Sequence, residues 1–199
     1  MVHENFKRLL RRHLTYGHGA TQGAGPIYNY IDINGHTPDA EVGETTRLTY
    51  IPNNSVVANL MTNVTLSGAL NYSFSSTNTY KGDAYIIVIG NHINDEPDYS
   101  LGSFISDSNV LYTSSNNLTE GGDLLFVSTI TNNSNQSISF DEVGLIYHSQ
   151  GNATSQVWAG SRYMNLLLIK EVLSTPVVIP PASSVTITMN IFGTVTVSS

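Results

Sequence analysis

The sequence predicts an all-β fold, an antiparallel β-sandwich of jelly-roll-like type, preceded by a short N-terminal amphipathic helix on a glycine-rich hinge. Three observations lead there. Long stretches alternate apolar and polar residues with period two, the signature of strands buried on one face. Glycine, proline and asparagine clusters punctuate a series of such stretches at short intervals. Charged residues make up only 12% of the 199-residue chain, against about 25% in ordinary globular proteins, and Ser, Thr and Asn take their place.

The helix comes first. VHENFKRLLRRHL puts Val2, Phe6, Leu9, Leu10 and Leu14 at helical spacing, with Lys7, Arg8, Arg11 and Arg12 around the rest. It ends at TYGHGATQGAGP, whose glycines and Pro26 are incompatible with a continued helix. So short a helix is marginal alone, and its apolar stripe needs a surface to cover it. Residues 27–44 read as an extended connector with a turn at Asn34-Gly35. The predicted division is therefore a docking arm over residues 1–40 and a β-sandwich domain over residues 41–199.

Within the second unit, Val64, Leu66, Gly68, Leu70, Tyr72 and Phe74 share one parity and read as one strand. Further strands are expected around Arg47–Ile51, Ala84–Ile89, Ser103–Ile105, Val110–Thr113, Leu124–Thr131, Ile138–Tyr147, Asn165–Val172 and Pro176–Ile179. At the C-terminus Val185, Ile187, Met189, Ile191, Val195 and Val197 share one parity across Gly193, giving one long strand or two joined at a glycine bend.

Charge and motif content exclude several functions. The net charge is -7. Residues 1–14 hold four basic side chains and one acidic, a net of +3, which leaves -10 on residues 15–199. An acidic body is unsuited to wrapping nucleic acid. With no cysteine there is neither a disulfide nor a thiolate metal site. No apolar run reaches membrane-spanning length, and the N-terminus lacks the apolar core of a signal peptide.

No G-x-S-x-G nucleophile, phosphate-binding loop or HExxH is present, and the glycines of GHGATQGAG follow a helix instead of preceding one, so they aim no helix N-terminus at a ligand. NHINDEPD, Asn91 to Asp98, gathers hard oxygen donors without the spacing of a calcium loop, and reads as ordinary loop chemistry. No catalytic, cofactor or metal residue is expected.

The adjacent carboxylates Asp141 and Glu142, in FDEVGLIYHS, are the one acidic pair inside an apolar run. Neighbours on a strand point to opposite faces, so the two cannot flank a substrate as a glycosidase pair does. Phe140, Glu142 and Gly144 share one parity; Val143, Leu145 and Tyr147 share the other. A strand apolar on both parities buries both faces in part, which places Glu142 beside backbone N–H groups or a basic residue such as Lys170 or Arg162.

The segment 137–191 resembles a pattern that recurs in structural proteins of tailed bacteriophages. A strand with Phe-x-Glu-x-Gly-Leu, here Phe140, Glu142, Gly144 and Leu145, precedes Leu167, Lys170, Leu173, Pro176, Val177, Ile179 and Pro181, then Val185, Ile187, Met189 and Ile191. Ala182 and Ser183 stand where the pattern has a glycine turn. The resemblance implies a β-sandwich on a phage particle, in the head, neck or tail, and gives Glu142, Gly144 and Pro181 a structural role.

It also implies a non-enzymatic virion protein, assembled in the host bacterial cytoplasm. The expected role is a decoration, cement or neck/connector subunit, homo-oligomeric, with other virion structural proteins as partners and neither membrane nor nucleic acid among them. The partner-binding residues are then the apolar anchor Val2, Phe6, Leu9, Leu10 and Leu14, with Lys7, Arg8, Arg11 and Arg12 meeting acidic groups. The alternative is a glycan-binding module of a tail or head fibre, using Trp158 and the loops at Asn91–Asp98 or Gly151–Gly160.

Overall fold

The computed structural model describes residues 49–52, 65–67, 74–75, 84–95, 100–118, 124–154, 159–190 and 194–199. The predicted arm, with Val2 to Leu14, its hinge, and the boundary at residues 40 and 41 lie outside the described residues. Along the chain come β1 (Thr49–Pro52), β2 (Thr65–Ser67), β3 (Phe74–Ser75), β4 (Ala84–Asn91), β5 (Ser103–Phe104), β6 (Val110–Ser114), β7 (Asn117–Leu118), β8 (Leu124–Asn132), β9 (Ile138–Thr154), β10 (Ala159–Ile179), β11 (Ser183–Asn190) and β12 (Val195–Ser198). No helix occurs among the described residues.

The strands form two antiparallel sheets. The first runs β3-β10-β9-β4-β5, with β1 on the far end of β9; the second runs β12-β11-β8-β6-β2, with β7 beside β8. The pairs β6–β8, β9–β10 and β11–β12 are antiparallel neighbours within one sheet. Among the described strands the architecture is a β-sandwich of two antiparallel sheets.

The second sheet follows from simple alternation. Phe126, Ser128, Ile130 and Asn132 of β8 are buried, as are Val185, Ile187 and Met189 of β11 and Val110, Tyr112 and Ser114 of β6. The intervening residues form hydroxyl rows: Thr113, Thr129, Thr186 and Ser198 stand in register across four strands. Thr129 and Thr186 hydroxyls lie 3.3 Å apart, and those of Thr131 and Ser184 2.9 Å. Uncharged residues with a methyl and a hydroxyl suit a half-solvated pleated face.

The first sheet is different. Residues 85–90 of β4 and 142–148 of β9 are buried on both parities, with Leu166 to Ile169 of β10 beside them. Such continuous apolar runs belong to strands covered on both sides. Tyr85 stacks on Tyr147, ring centroids 5.0 Å apart, and also meets Phe126 of the second sheet at 5.5 Å. His148 and Asn165, cross-strand neighbours in the same buried region, satisfy each other through Nδ1 and Oδ1 at 2.7 Å.

Polar side chains join the sheets where β4 has backbone groups that its ladder leaves over. The Ile87 N–H donates to Ser128 Oγ at 2.9 Å, and the Asn116 amide donates to the Tyr85 carbonyl at 2.9 Å while its oxygen accepts from Val127 N–H at 3.0 Å. Asn132, fully buried, does the same at the other crossing. Its amide donates to the carbonyls of Gln136, Ile179 and Pro180, and its oxygen accepts from the Ser134 N–H and hydroxyl. One side chain thus ties the β8–β9 loop to the β10–β11 turn.

Two expectations change and one is narrowed to one of its alternatives. Val64–Phe74 reads as one strand, but its described ends, β2 and β3, pair with β6 and β10 in different sheets. Asn165–Val172 and Pro176–Ile179 are parts of a single strand, β10, whose register slips between Val172 and Val177. Pro176 falls in that slip, where a missing N–H costs the ladder nothing. The C-terminus resolves into two strands, bracketed by Asn190 N–H to Thr194 carbonyl at 3.2 Å and Thr194 N–H to Asn190 Oδ1 at 3.0 Å.

Candidate functional site

Asp141 and Glu142 sit on β9, where the register aligns Gly90 of β4, Glu142 and Val172 of β10. Asp141 is the β9 residue opposite the slip in β10. Strand geometry sends the two carboxylates apart, and each ends on the segment that leaves β4. Asp141 Oδ1 accepts from His92 N–H at 2.7 Å. Glu142 Oε2 accepts from Gly102 N–H at 2.7 Å. Both are short, as expected where the acceptor is charged.

Glu142 is completely buried, and its charge is countered by Lys170, whose Nζ lies 3.9 Å from Oε1 and donates to the Ser100 carbonyl at 3.2 Å. His92 Nδ1 approaches the same oxygen at 4.0 Å. Lys170 and Glu142 therefore grip the main chain on either side of Leu101, one through a carbonyl and the other through an N–H. Of the two basic residues expected near Glu142, Lys170 is the one described there; the Arg162 side chain lies outside the described ones.

Leu101 explains the glycines. It is buried, and a Cβ on Gly144 would come within 2.9 Å of its Cδ2 and 2.8 Å of Leu167 Cδ1. A Cβ on Gly90 would meet the Ser103 carbonyl oxygen at 2.9 Å and Leu101 Cβ at 3.0 Å. Two glycines on neighbouring strands thus open a socket that the Leu101 side chain fills. Through Oε2 the Glu142 carboxylate holds the Gly102 N–H, next to that plug.

The other singled-out residue, Pro181, lies away from this anchor, in the exposed turn between β10 and β11. Ala182 beside it takes φ 53°, the left-handed conformation that glycine adopts most easily. The turn therefore keeps a glycine-like backbone with alanine in place. The residues missed by sequence reasoning are Gly90, Leu101, Ser128 and Asn132. Gly90 carried a signal, a glycine ending an apolar strand run; Leu101 carried none.

Among the described residues no group of three His, Cys, Asp or Glu side chains could hold a metal ion; Glu96 and Asp98 of the NHINDEPD stretch lie outside them, as do Trp158 and residues 155–157, while the ends of the expected Gly151–Gly160 loop belong to β9 and β10. Nor, among the described residues, is any helix long and apolar enough to cross a membrane. Comparison with protein-family models, with curated proteins and with solved structures found no match to this chain.

Proposed function

We propose that the chain is a non-enzymatic structural subunit of a tailed-phage virion, a decoration, cement or neck/connector protein that docks on neighbouring subunits through its N-terminal arm. The observation that carries this reading is the sequence resemblance over residues 137–191. Many of its motif positions coincide with core residues: Phe140, Glu142, Leu145, Leu167, Ile179, Val185, Ile187 and Met189 are buried, while Pro176 and Pro181 are exposed. The chemistry of the Asp141–Glu142 anchor is consistent with a scaffold, since both acids are committed to backbone N–H groups.

The charge distribution supplies the rest of the argument. Residues 1–14, of net +3 with an apolar stripe, joined through the glycine-rich hinge to a body of net -8 over residues 41–199, are suited to exchange between copies in a symmetric assembly. Deleting residues 1–25 is expected to leave a folded body by circular dichroism that no longer joins particles or oligomers. A truncated chain that assembles as well as the full one would overturn the reading, and labelling the protein on its particle would give its address.

A further inference from the structure

Most of the outermost strands of the two sheets are poorly suited to further pairing. β3 and β5 are two residues long and β2 three, while β1 ends in Pro52; very short strands and proline are common means of blunting a sheet edge. β12 has neither. It runs Val195-Thr196-Val197-Ser198 with no charge, proline or glycine, and among the described residues no strand pairs its side away from β11. The bond from Asn190 N–H to the Thr194 carbonyl fixes which groups lie on that side. Thr194, Thr196 and Ser198 turn their backbone groups to β11, so by alternation Val195 and Val197 present theirs outward.

The strand is also self-complementary. Thr194-Val195-Thr196-Val197-Ser198 alternates hydroxyl and valine symmetrically about Thr196, with the valines packed against the core and the hydroxyl residues exposed. We propose that β12 pairs antiparallel with β12 of a second copy about a two-fold axis at Thr196, joining the second sheets of two molecules into one. Val195 then exchanges both backbone hydrogen bonds with the partner's Val197, Val197 does so with the partner's Val195, and Thr196 faces its own counterpart. Across such an axis a charge on the strand would stand close to its own copy. β12 carries none, although residues 41–199 hold a net of -8. So short a strand buries far less than the roughly 800 Å² per partner of a standard interface, so the contact forms where copies are already concentrated, as in an assembly. It goes beyond the subunit reading and does not depend on the N-terminal arm.

With no native cysteine, single-cysteine forms of the full chain read the register directly. Opposed residues of a non-hydrogen-bonded antiparallel pair have Cα atoms about 4.5 Å apart, within the range that a disulfide spans. In the proposed register Thr196 opposes itself and Thr194 opposes Ser198. Under mild oxidation Thr196→Cys is therefore expected to dimerise several-fold faster than Thr194→Cys or Ser198→Cys alone, and a mixture of the last two to form the mixed disulfide faster than either forms its own. All three positions are exposed, so accessibility does not produce that order. Adding Thr196→Lys to both members of the mixture should leave circular dichroism unchanged and abolish the preference, because like charges would then face each other. Equal rates at the three positions would overturn the proposal. If deletion of the arm abolishes assembly while Thr196→Cys shows no preference, the β12 contact is wrong and the docking function stands. If the deletion leaves assembly intact while the preference holds, the arm reading fails and the β12 contact stands.

Discussion

The two sheets of this sandwich solve the same problem in opposite ways. The second buries one face and leaves the other as rows of hydroxyls, so each strand needs only alternation and a register. The first is buried on both faces over residues 85–90 and 142–148, so every side chain there must fit on its own side and every polar group needs a named partner. The difference teaches where specificity is held. In the second sheet it lies in periodicity, which tolerates many sequences; in the first it lies in single contacts such as Leu101 over Gly90 and Gly144.

The sharpest way to break this contrast is to add one methyl group to the socket. At Gly90 the new Cβ would lie 2.9 Å from the Ser103 carbonyl oxygen. Backbone must move, so Gly90→Ala is expected to cost about 3 kcal/mol, the upper end of overpacking effects. At Gly144 the close atoms are the ends of Leu167 and Leu101, which rotate, and Gly144→Ala should cost about 1.5 kcal/mol. Urea unfolding midpoints give the comparison; a larger loss at Gly144 would show that the plug, not the Ser103 backbone, is the rigid element.

The buried carboxylate comes next. Glu142→Ala removes the acceptor of the Gly102 N–H and the counter-charge near Lys170, and should cost about 2 kcal/mol. Glu142→Gln keeps an oxygen acceptor and should cost about half as much. Amide exchange at Gly102 discriminates further: it should accelerate strongly in the alanine variant and weakly in the glutamine one. Equal acceleration in both would mean that charge, not the hydrogen bond, holds the segment.

What the sequence disclosed follows the same division. The alternation over Val185–Val197 located β11 and β12, because a half-buried strand writes its burial into every second residue. The Glu142 environment was legible too: an acid inside FDEVGLIYHS, apolar on both parities, needs partners. The partners on the covering segment were not. Leu101 and the Gly102 N–H come from a loop whose neighbours in the chain say nothing of where it lands. Likewise the slip at Leu173–Pro176 reads as a strand break, since a local pattern cannot distinguish the end of a strand from a bulge in a longer one.

Adjacent residues of β8 give the finest form of the comparison. Ser128 is buried, and its Oγ accepts from Ile87 N–H across the sheets. Ser128→Ala strands that donor and should cost about 1.5 kcal/mol. Thr129, the next residue, points to the hydroxyl row, where its contact with Thr186 spans 3.3 Å and water can replace it. Valine has nearly the same shape and suits a strand as well as threonine does, so Thr129→Val should stay within about 0.5 kcal/mol of the parent. Both changes remove a single hydroxyl from a single strand. Their difference in unfolding free energy therefore measures what burial adds to the worth of that group, and a loss at Thr129 equal to that at Ser128 would mean that the outer face of the second sheet is covered after all.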